Sequence, residues 1–92
     1  MKETQDNTRA ITNYIRTLRE RKDYTQNYLA AKLSISQNAY SKLELGYSTL
    51  SVQRLFDIAN ILEIDIAELI DSGITPKKTV DNSLIPELTL LY

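Results

Sequence analysis

The sequence predicts an all-α protein, a compact bundle of five helices, and three observations support this. First, one pattern occurs four times: an apolar residue, a capping residue, three further residues and a second apolar residue. Second, Ile11, Tyr14, Ile15 and Leu18 have the i, i+3, i+4, i+7 spacing of an amphipathic helix. Third, no alternating strand pattern occurs before residue 72, and both prolines lie beyond it.

The four repeated patterns predict where helices begin. Their capping residues are Thr25, Ser36, Ser51 and Asp65. Each has a side-chain oxygen suited to the N-cap position, and the flanking apolar residues can form a hydrophobic staple. Glu68 follows Asp65 by three residues, which predicts a capping box. Gly46 stands where a glycine should end the third helix.

These signals predict helices near residues 9–22, 26–33, 37–45, 52–62 and 66–71. Arg16, Arg19 and Arg21 are expected on the outside of the first helix, and Phe56 on the core face of the fourth. We expect one set of apolar residues to be buried together: Ile15, Leu18, Leu29, Ala30, Leu33, Tyr40, Leu43, Leu55, Ile58, Ala59, Leu62 and Leu69. The chain then divides into a flexible segment, 1–8, a helical domain, 9–71, and a tail, 72–92.

The composition argues against an enzyme. The 92 residues suit a single domain, and they include neither cysteine nor histidine. The chain therefore lacks disulfides, a thiolate nucleophile, the usual zinc ligands and the usual general base at neutral pH. No glycine-rich phosphate loop is present. We expect no catalytic residue, no metal and no cofactor.

Hydropathy gives no sign of a membrane protein. No apolar run reaches the roughly 18 residues that a membrane-spanning helix needs, and the N-terminus has no signal-peptide core. We expect a cytoplasmic protein.

Charge is distributed unevenly along the chain. The net charge is −1, but residues 1–45 hold eight Lys/Arg against five Asp/Glu, and residues 46–92 hold three against seven. The first part therefore carries +3 and the second −4. Because local charge determines the attraction of phosphates, the basic part suits nucleic acid. Ordinary scatter in a small sample is the alternative.

Residues 25–46 indicate two short helices joined by a tight turn. The second would turn Tyr40 and Leu43 inward. Its outward residues are Gln37, Asn38, Ser41 and Lys42. Amide, hydroxyl and ammonium groups on a slim helix can read base edges in the major groove of DNA. A plain solvent-exposed face is the alternative, but short polar residues are less typical of such a face than long Glu–Lys pairs.

The stretch from Ile15 to Leu69 resembles the helix-turn-helix domain of phage repressors and Cro, often called the Xre type. The residues that carry the resemblance are Leu18-Arg19, Thr25-Gln26, Leu29-Ala30, Ser36-Gln37, Ser41-Lys42-Leu43-Glu44, Gly46, Ser51, Leu55, Ile58-Ala59, Leu62 and Leu69. The resemblance implies a λ-repressor-like bundle with the helix-turn-helix at helices two and three.

Site residues follow from that resemblance. It implies base reading by the four outward residues of the third helix, Gln37, Asn38, Ser41 and Lys42. It implies contacts to the DNA backbone by Gln26, Ser36, Tyr47 and Ser48, and Arg16 and Arg19 could reach phosphates too. A solvated face would explain Gln26 and the arginines as well. Glu44 is expected to belong to the scaffold, with Arg19 as a plausible partner.

Four positions depart from the family pattern. Ser34 and Glu63 stand where glycine is common, and a non-glycine residue with positive φ would be strained. Tyr40 replaces a smaller apolar residue, and it can fill the same pocket if its hydroxyl reaches solvent. Leu45 replaces a polar residue; it would either touch a thymine methyl group or pack on the protein.

The resemblance implies a sequence-specific transcriptional regulator of the repressor kind, binding double-stranded DNA as a homodimer. A toxin or the transcription machinery could be a protein partner. Two alternatives remain: the antitoxin of a toxin–antitoxin pair, and a protein-interaction module that has lost DNA binding.

The tail ends in LIPELTLLY, six of whose nine residues are apolar. We expect it to fold against a second copy or onto its own core, since exposing it would invite aggregation; a frayed terminus is the alternative.

Overall fold

The computed structural model describes the backbone of residues 2–74 and the side chains of residues 7–74. Within that part of the chain there are five helices and no strand, as the sequence predicts. They are α1 (Lys2–Arg21), α2 (Gln26–Leu33), α3 (Gln37–Glu44), α4 (Val52–Leu62) and α5 (Ile66–Ser72). α2 and α3 form the helix-turn-helix, α1 packs against α3, α4 and α5, and α2 also contacts α4.

All four predicted capping residues occupy N-cap positions, and three of them cap with their side chains. The hydroxyl oxygens of Thr25, Ser36 and Ser51 accept backbone N–H bonds at 3.0, 3.0 and 3.1 Å. The prediction of a capping box at α5 is wrong, because the Asp65 side chain accepts no capping hydrogen bond. The carboxylate of Glu68 instead accepts a hydrogen bond from the Tyr14 hydroxyl of α1.

Helices α1 to α4 end in a common motif. Each is followed by a residue with left-handed backbone: Asp23 (φ 59°), Ser34 (60°), Gly46 (83°) and Glu63 (61°). In each case the next N–H bonds a carbonyl five residues back, the pattern of a Schellman motif. The predicted glycine end of α3 is confirmed. Ser34 and Glu63, which stand where glycine is common in the family, adopt a left-handed conformation, and so does Asp23.

Among residues 7–74, the buried apolar core consists of the twelve residues that the sequence predicts. Nine of the twelve come from α2, α3 and α4, so these three helices share most of the core. The prediction for Phe56 is wrong, because this side chain is 46% exposed. Phe56 follows the buried Leu55 by one residue, and one helical step of about 100° carries it to the rim of the core.

α1 begins at Lys2, seven residues before the predicted start near residue 9. Its early turns pack on the end of α5, where a methyl group added to Gly73 would lie 2.9 Å from Ile11 Cγ1 and 3.0 Å from the Asn7 carbonyl oxygen. Only a glycine permits this approach. The flexibility expected of residues 1–8 stays a prediction, and the tail beyond Ile74 lies outside the described residues.

Candidate nucleic-acid interface

The candidate interface is centred on one side of α3, which we call the outer face (Gln37, Asn38, Ser41 and Lys42). Successive helical residues are rotated by about 100°, so these four share an arc of about 140°. Gln37, Asn38 and Lys42 are exposed and Ser41 is half-buried. Leu45 lies within the same arc and is 47% exposed, so it does not pack into the core. The structure therefore brings the four predicted base-reading residues together on an accessible surface.

The charge on the outer face is positive because the acid of α3 points the other way. Lys42 has no carboxylate within 4.0 Å among the described residues. Glu44 is only 4% exposed and faces α1 and α2. Since an exposed carboxylate would repel phosphates, its burial leaves this face suited to an anionic ligand.

Behind α3, four side chains form the Glu44 cluster (Arg19, Gln26, Tyr40 and Glu44). Arg19 Nε donates to Glu44 Oε2 at 2.6 Å, and Arg19 Nη2 donates to Oε1 at 3.2 Å. The Tyr40 hydroxyl donates to Oε2 at 2.6 Å, and Gln26 Nε2 donates to Oε1 at 3.1 Å. One carboxylate thus ties α3 to both α1 and α2.

The cluster holds Glu44 ionised. Burial raises the pKa of the Glu44 carboxyl, but hydrogen bonds from Arg19, Tyr40 and Gln26 outweigh it, and the net pKa lies below the ordinary value. Burial, and then the hydrogen bond to Glu44, raises the pKa of Tyr40. Tyr40 fills its pocket without reaching solvent, because it is fully buried and its hydroxyl donates to the Glu44 carboxylate instead.

The same cluster changes the interpretation of Arg19 and Gln26. Arg19 is 8% exposed, and besides the two bonds to Glu44 it donates to the Tyr24 carbonyl at 2.7 Å. It is not on the outside of α1, and its guanidinium is not presented to a phosphate. Gln26 is half-buried at the start of α2, with its amide oriented by Glu44. The pairing of Glu44 with Arg19 that the sequence suggested is present.

The other residues predicted to contact the DNA backbone are accessible but lie on different elements. Ser36 caps α3, so its hydroxyl oxygen already accepts the Ala39 N–H at 3.0 Å. Tyr47, 74% exposed, and the exposed Ser48 follow α3 directly. Arg16 lies on α1, where its Nε donates to Glu20 Oε2 at 3.2 Å on the surface.

A family model described as "Helix-turn-helix" matches residues 15–69, more than half of the chain. The chain belongs to the helix-turn-helix family, of the Xre and Cro type. It is also 40% identical over 63 residues to the HTH-type transcriptional regulator SlrR of Bacillus subtilis (strain 168). That alignment covers 67% of this chain and 41% of the relative, so the chain spans less than half of that protein's length. No solved structure matches the chain.

Two positively charged residues near α3, Arg54 and Arg9, were not predicted from the sequence. Arg54 of α4 lines a cleft together with Lys42. Arg9 runs along the end of α3, since a methyl group on Gly46 would lie 3.2 Å from its Nε. Neither position has a sequence signal, because both contacts depend on how distant helices cross. Within residues 2–74, no helix has the length and apolar character needed to cross a membrane.

Proposed function

We propose that this chain is a sequence-specific DNA-binding transcriptional regulator that reads its operator through α3. The observation that carries the proposal is the outer face, whose exposed side chains have no hydrogen-bond or ion-pair partner in the described part of the chain. Side-chain amides pair bidentately with adenine, and Lys pairs with guanine or phosphate. Membership of the helix-turn-helix family supports the same proposal, and so does the similarity to a Bacillus subtilis transcriptional regulator.

The proposed roles divide between base reading and positioning. Gln37, Asn38, Ser41 and Lys42 contact base edges or the phosphates beside them. Gln26, Ser36, Tyr47, Ser48 and Arg16 contact the DNA backbone. Gln26 suits its role because Glu44 fixes its amide at the start of α2, where backbone N–H groups also attract phosphate. Arg19 is left out of the interface because it is buried on Glu44.

The proposal includes a homodimer in the cytoplasm. A single α3 covers only a few base pairs, so specific binding by a small domain generally uses two copies on two half-sites. Their centres would lie about one helical turn, roughly 10 base pairs, apart.

Selection from randomised double-stranded DNA tests the proposal. The full chain should enrich one site containing two inverted half-sites. On that site, Gln37→Ala and Asn38→Ala should each cost about 1–3 kcal/mol of specific binding, because each removes an amide–base pairing. Their binding to unrelated DNA should barely change, since the phosphate contacts remain. The matched control is Asn60→Ala, which removes an exposed amide on α4. It should bind both DNAs like the parent.

Each part of the proposal can fail separately in this experiment. Enrichment of no site would refute DNA reading and favour an interaction module of the same fold. A single enriched half-site bound by one copy would refute the dimer alone. If the Gln37 and Asn38 variants bind the selected site as tightly as the parent, other residues read the bases.

A further inference from the structure

An apolar surface lies along α5 and the turn that follows it. Ile66, Ile70 and Ile74 recur every four residues, and we call these three side chains the isoleucine patch. Gly73 keeps a right-handed helical backbone (φ −87°, ψ −12°), so the helical course continues as far as Ile74. Each step of four residues turns the line by about 40° away from the buried Leu69. Exposure rises accordingly, because Ile66 is half-buried, Ile70 is 42% exposed and Ile74 is 52% exposed.

The chain around the isoleucine patch is acidic. Residues 55–74 include five Asp/Glu and no Lys/Arg. An anionic ligand such as the DNA backbone is disfavoured beside these carboxylates. The same face of a second copy is disfavoured as well, because a two-fold contact would bring two acidic surfaces together. The occupant that suits this surface is an apolar segment accompanied by positive charge.

The sequence of this chain contains such a segment beyond Ile74. We call residues 84–92, LIPELTLLY, the apolar tail, since six of the nine are apolar. Residues 75–83 form the linker between the patch and the apolar tail, and they include two lysines and one aspartate. Nine residues of linker reach at most about 30 Å, whereas eight helical steps from Ile66 to Ile74 cover about 12 Å. The linker is therefore long enough for the apolar tail to lie along the whole patch of its own chain.

We propose that the apolar tail docks on the isoleucine patch of its own chain. Docking removes Ile70 and Ile74 from water together with the leucines of the tail. It also brings the two lysines of the linker close to the acidic surface around α5. A short linker gives the tail an effective concentration of about 1 mM, so docking within one chain prevails over docking on a second copy at micromolar protein. The proposed homodimer then uses another surface, and this inference does not depend on DNA binding.

Limited digestion of the full chain by chymotrypsin tests the docking, because this protease cuts after leucine and tyrosine, which the apolar tail contains. Ile74→Ser removes an exposed side chain beyond the end of α5, so the fold is preserved. Cleavage in the tail should become about five to ten times faster, the factor expected when half of an isoleucine side chain loses its burial. The rate follows the fraction of molecules with a released tail. Ile70→Ser should give the same change.

The matched control is Val52→Ser, because Val52 is 66% exposed on α4 and lies outside the isoleucine patch. Its tail should be cleaved at the parental rate. Dilution of the parent locates the contact, since docking within one chain does not depend on protein concentration. A second measurement approaches the contact from the tail: serine at both Leu88 and Leu90 should shift the methyl resonances of Ile70 and Ile74. The methyl resonances of Ile35, in the turn between α2 and α3, should stay unchanged.

Each outcome either supports the docking or overturns it. Equal rates in the parent and both patch variants would refute it, as would unchanged Ile70 and Ile74 resonances in the tail variant. Equal acceleration by Val52→Ser would show a general loss of stability and would also refute it. Protection that disappears on dilution would place the tail on a second copy instead of its own chain. All of these results can be obtained whether or not the chain selects a DNA site.

Discussion

The two faces of α3 differ in how completely their polar groups are bonded inside the protein. On the inner face, the Glu44 carboxylate accepts hydrogen bonds from side chains of α1, α2 and α3 and is 4% exposed. On the outer face, the exposed side chains have no such partner within the described residues. Buried polar groups that stay unbonded are costly, whereas exposed ones are bonded by water.

We infer that stability and DNA binding depend on opposite sides of a helix of eight residues. Substitutions on the inner face should change the free energy of unfolding, because each leaves a buried group without its partner. Substitutions on the outer face should change DNA binding and leave stability nearly untouched, because water replaces what is lost.

Glu44→Ala should destabilise the protein by about 3–5 kcal/mol, because it removes the buried carboxylate that accepts two hydrogen bonds from Arg19. The Glu20 carboxylate that remains lies 3.8 Å from Arg19 Nη2 and is largely exposed. The substitution also removes the acceptor of the Tyr40 hydroxyl. Lys42→Ala, two residues away on the outer face, should change the unfolding free energy by no more than about 0.5 kcal/mol. Urea denaturation of both variants makes the comparison.

Equal losses in the two variants would contradict the separation of the faces. A loss under about 1 kcal/mol for Glu44→Ala would show that the charged cluster is replaceable, as some buried ion pairs are.

Acid should weaken the inner face selectively. The folded-state pKa of Glu44 lies below its ordinary value of 4.5, so the unfolded chain binds more protons as the pH falls past that value. The stability from ionised Glu44 is therefore fully present above pH 4.5 and is lost as the pH falls through the folded-state pKa. Glu44→Gln has no such carboxyl and should be less stable than the parent at neutral pH.

The gap in unfolding free energy between parent and Glu44→Gln should stay constant above about pH 5.5 and narrow below pH 4.5. The narrowing can reach about 1.4 kcal/mol per pH unit, the limit for one proton. Because every other carboxyl titrates in both proteins, the difference isolates Glu44. A gap independent of pH down to 3 would mean that the cluster does not lower this pKa.

The buried core was predictable from the sequence because buried residues recur at helical spacing. The twelve core residues follow from that spacing, and the caps fix the starts of α2 to α5. The spacing also held the signal for Arg19, which lies four residues after the buried Ile15 and one residue after Leu18. Composition favours an outward position for this residue, because arginine is rarely buried unless it is paired.

Other features could not be predicted from sequence because they depend on contacts between distant segments. The early turns of α1 are polar and lack an apolar period, but they pack against Gly73 at the end of α5. The capping box at Asp65 has the right spacing, yet Tyr14 of α1 competes for Glu68. Arg54 reaches its cleft only because α4 crosses the turn between α2 and α3.

A smaller change in stability is expected at Ser34, which lies in the turn between α2 and α3. Ser34 has φ 60° and ψ 40°, a left-handed conformation that disfavours any side chain with a Cβ atom. Ser34→Gly should stabilise the protein by about 0.5–1 kcal/mol, because relief of that strain exceeds the entropy that glycine adds to the unfolded chain. Ser34→Ala keeps the strain and should show no gain. Since neither change touches the outer face or the Glu44 cluster, DNA binding at low temperature should match the parent in both. Thermal unfolding and affinity measured side by side would decide the matter: a gain in stability coupled to altered affinity would show that the turn positions α3 for reading, and that its faces are less independent than their contacts indicate.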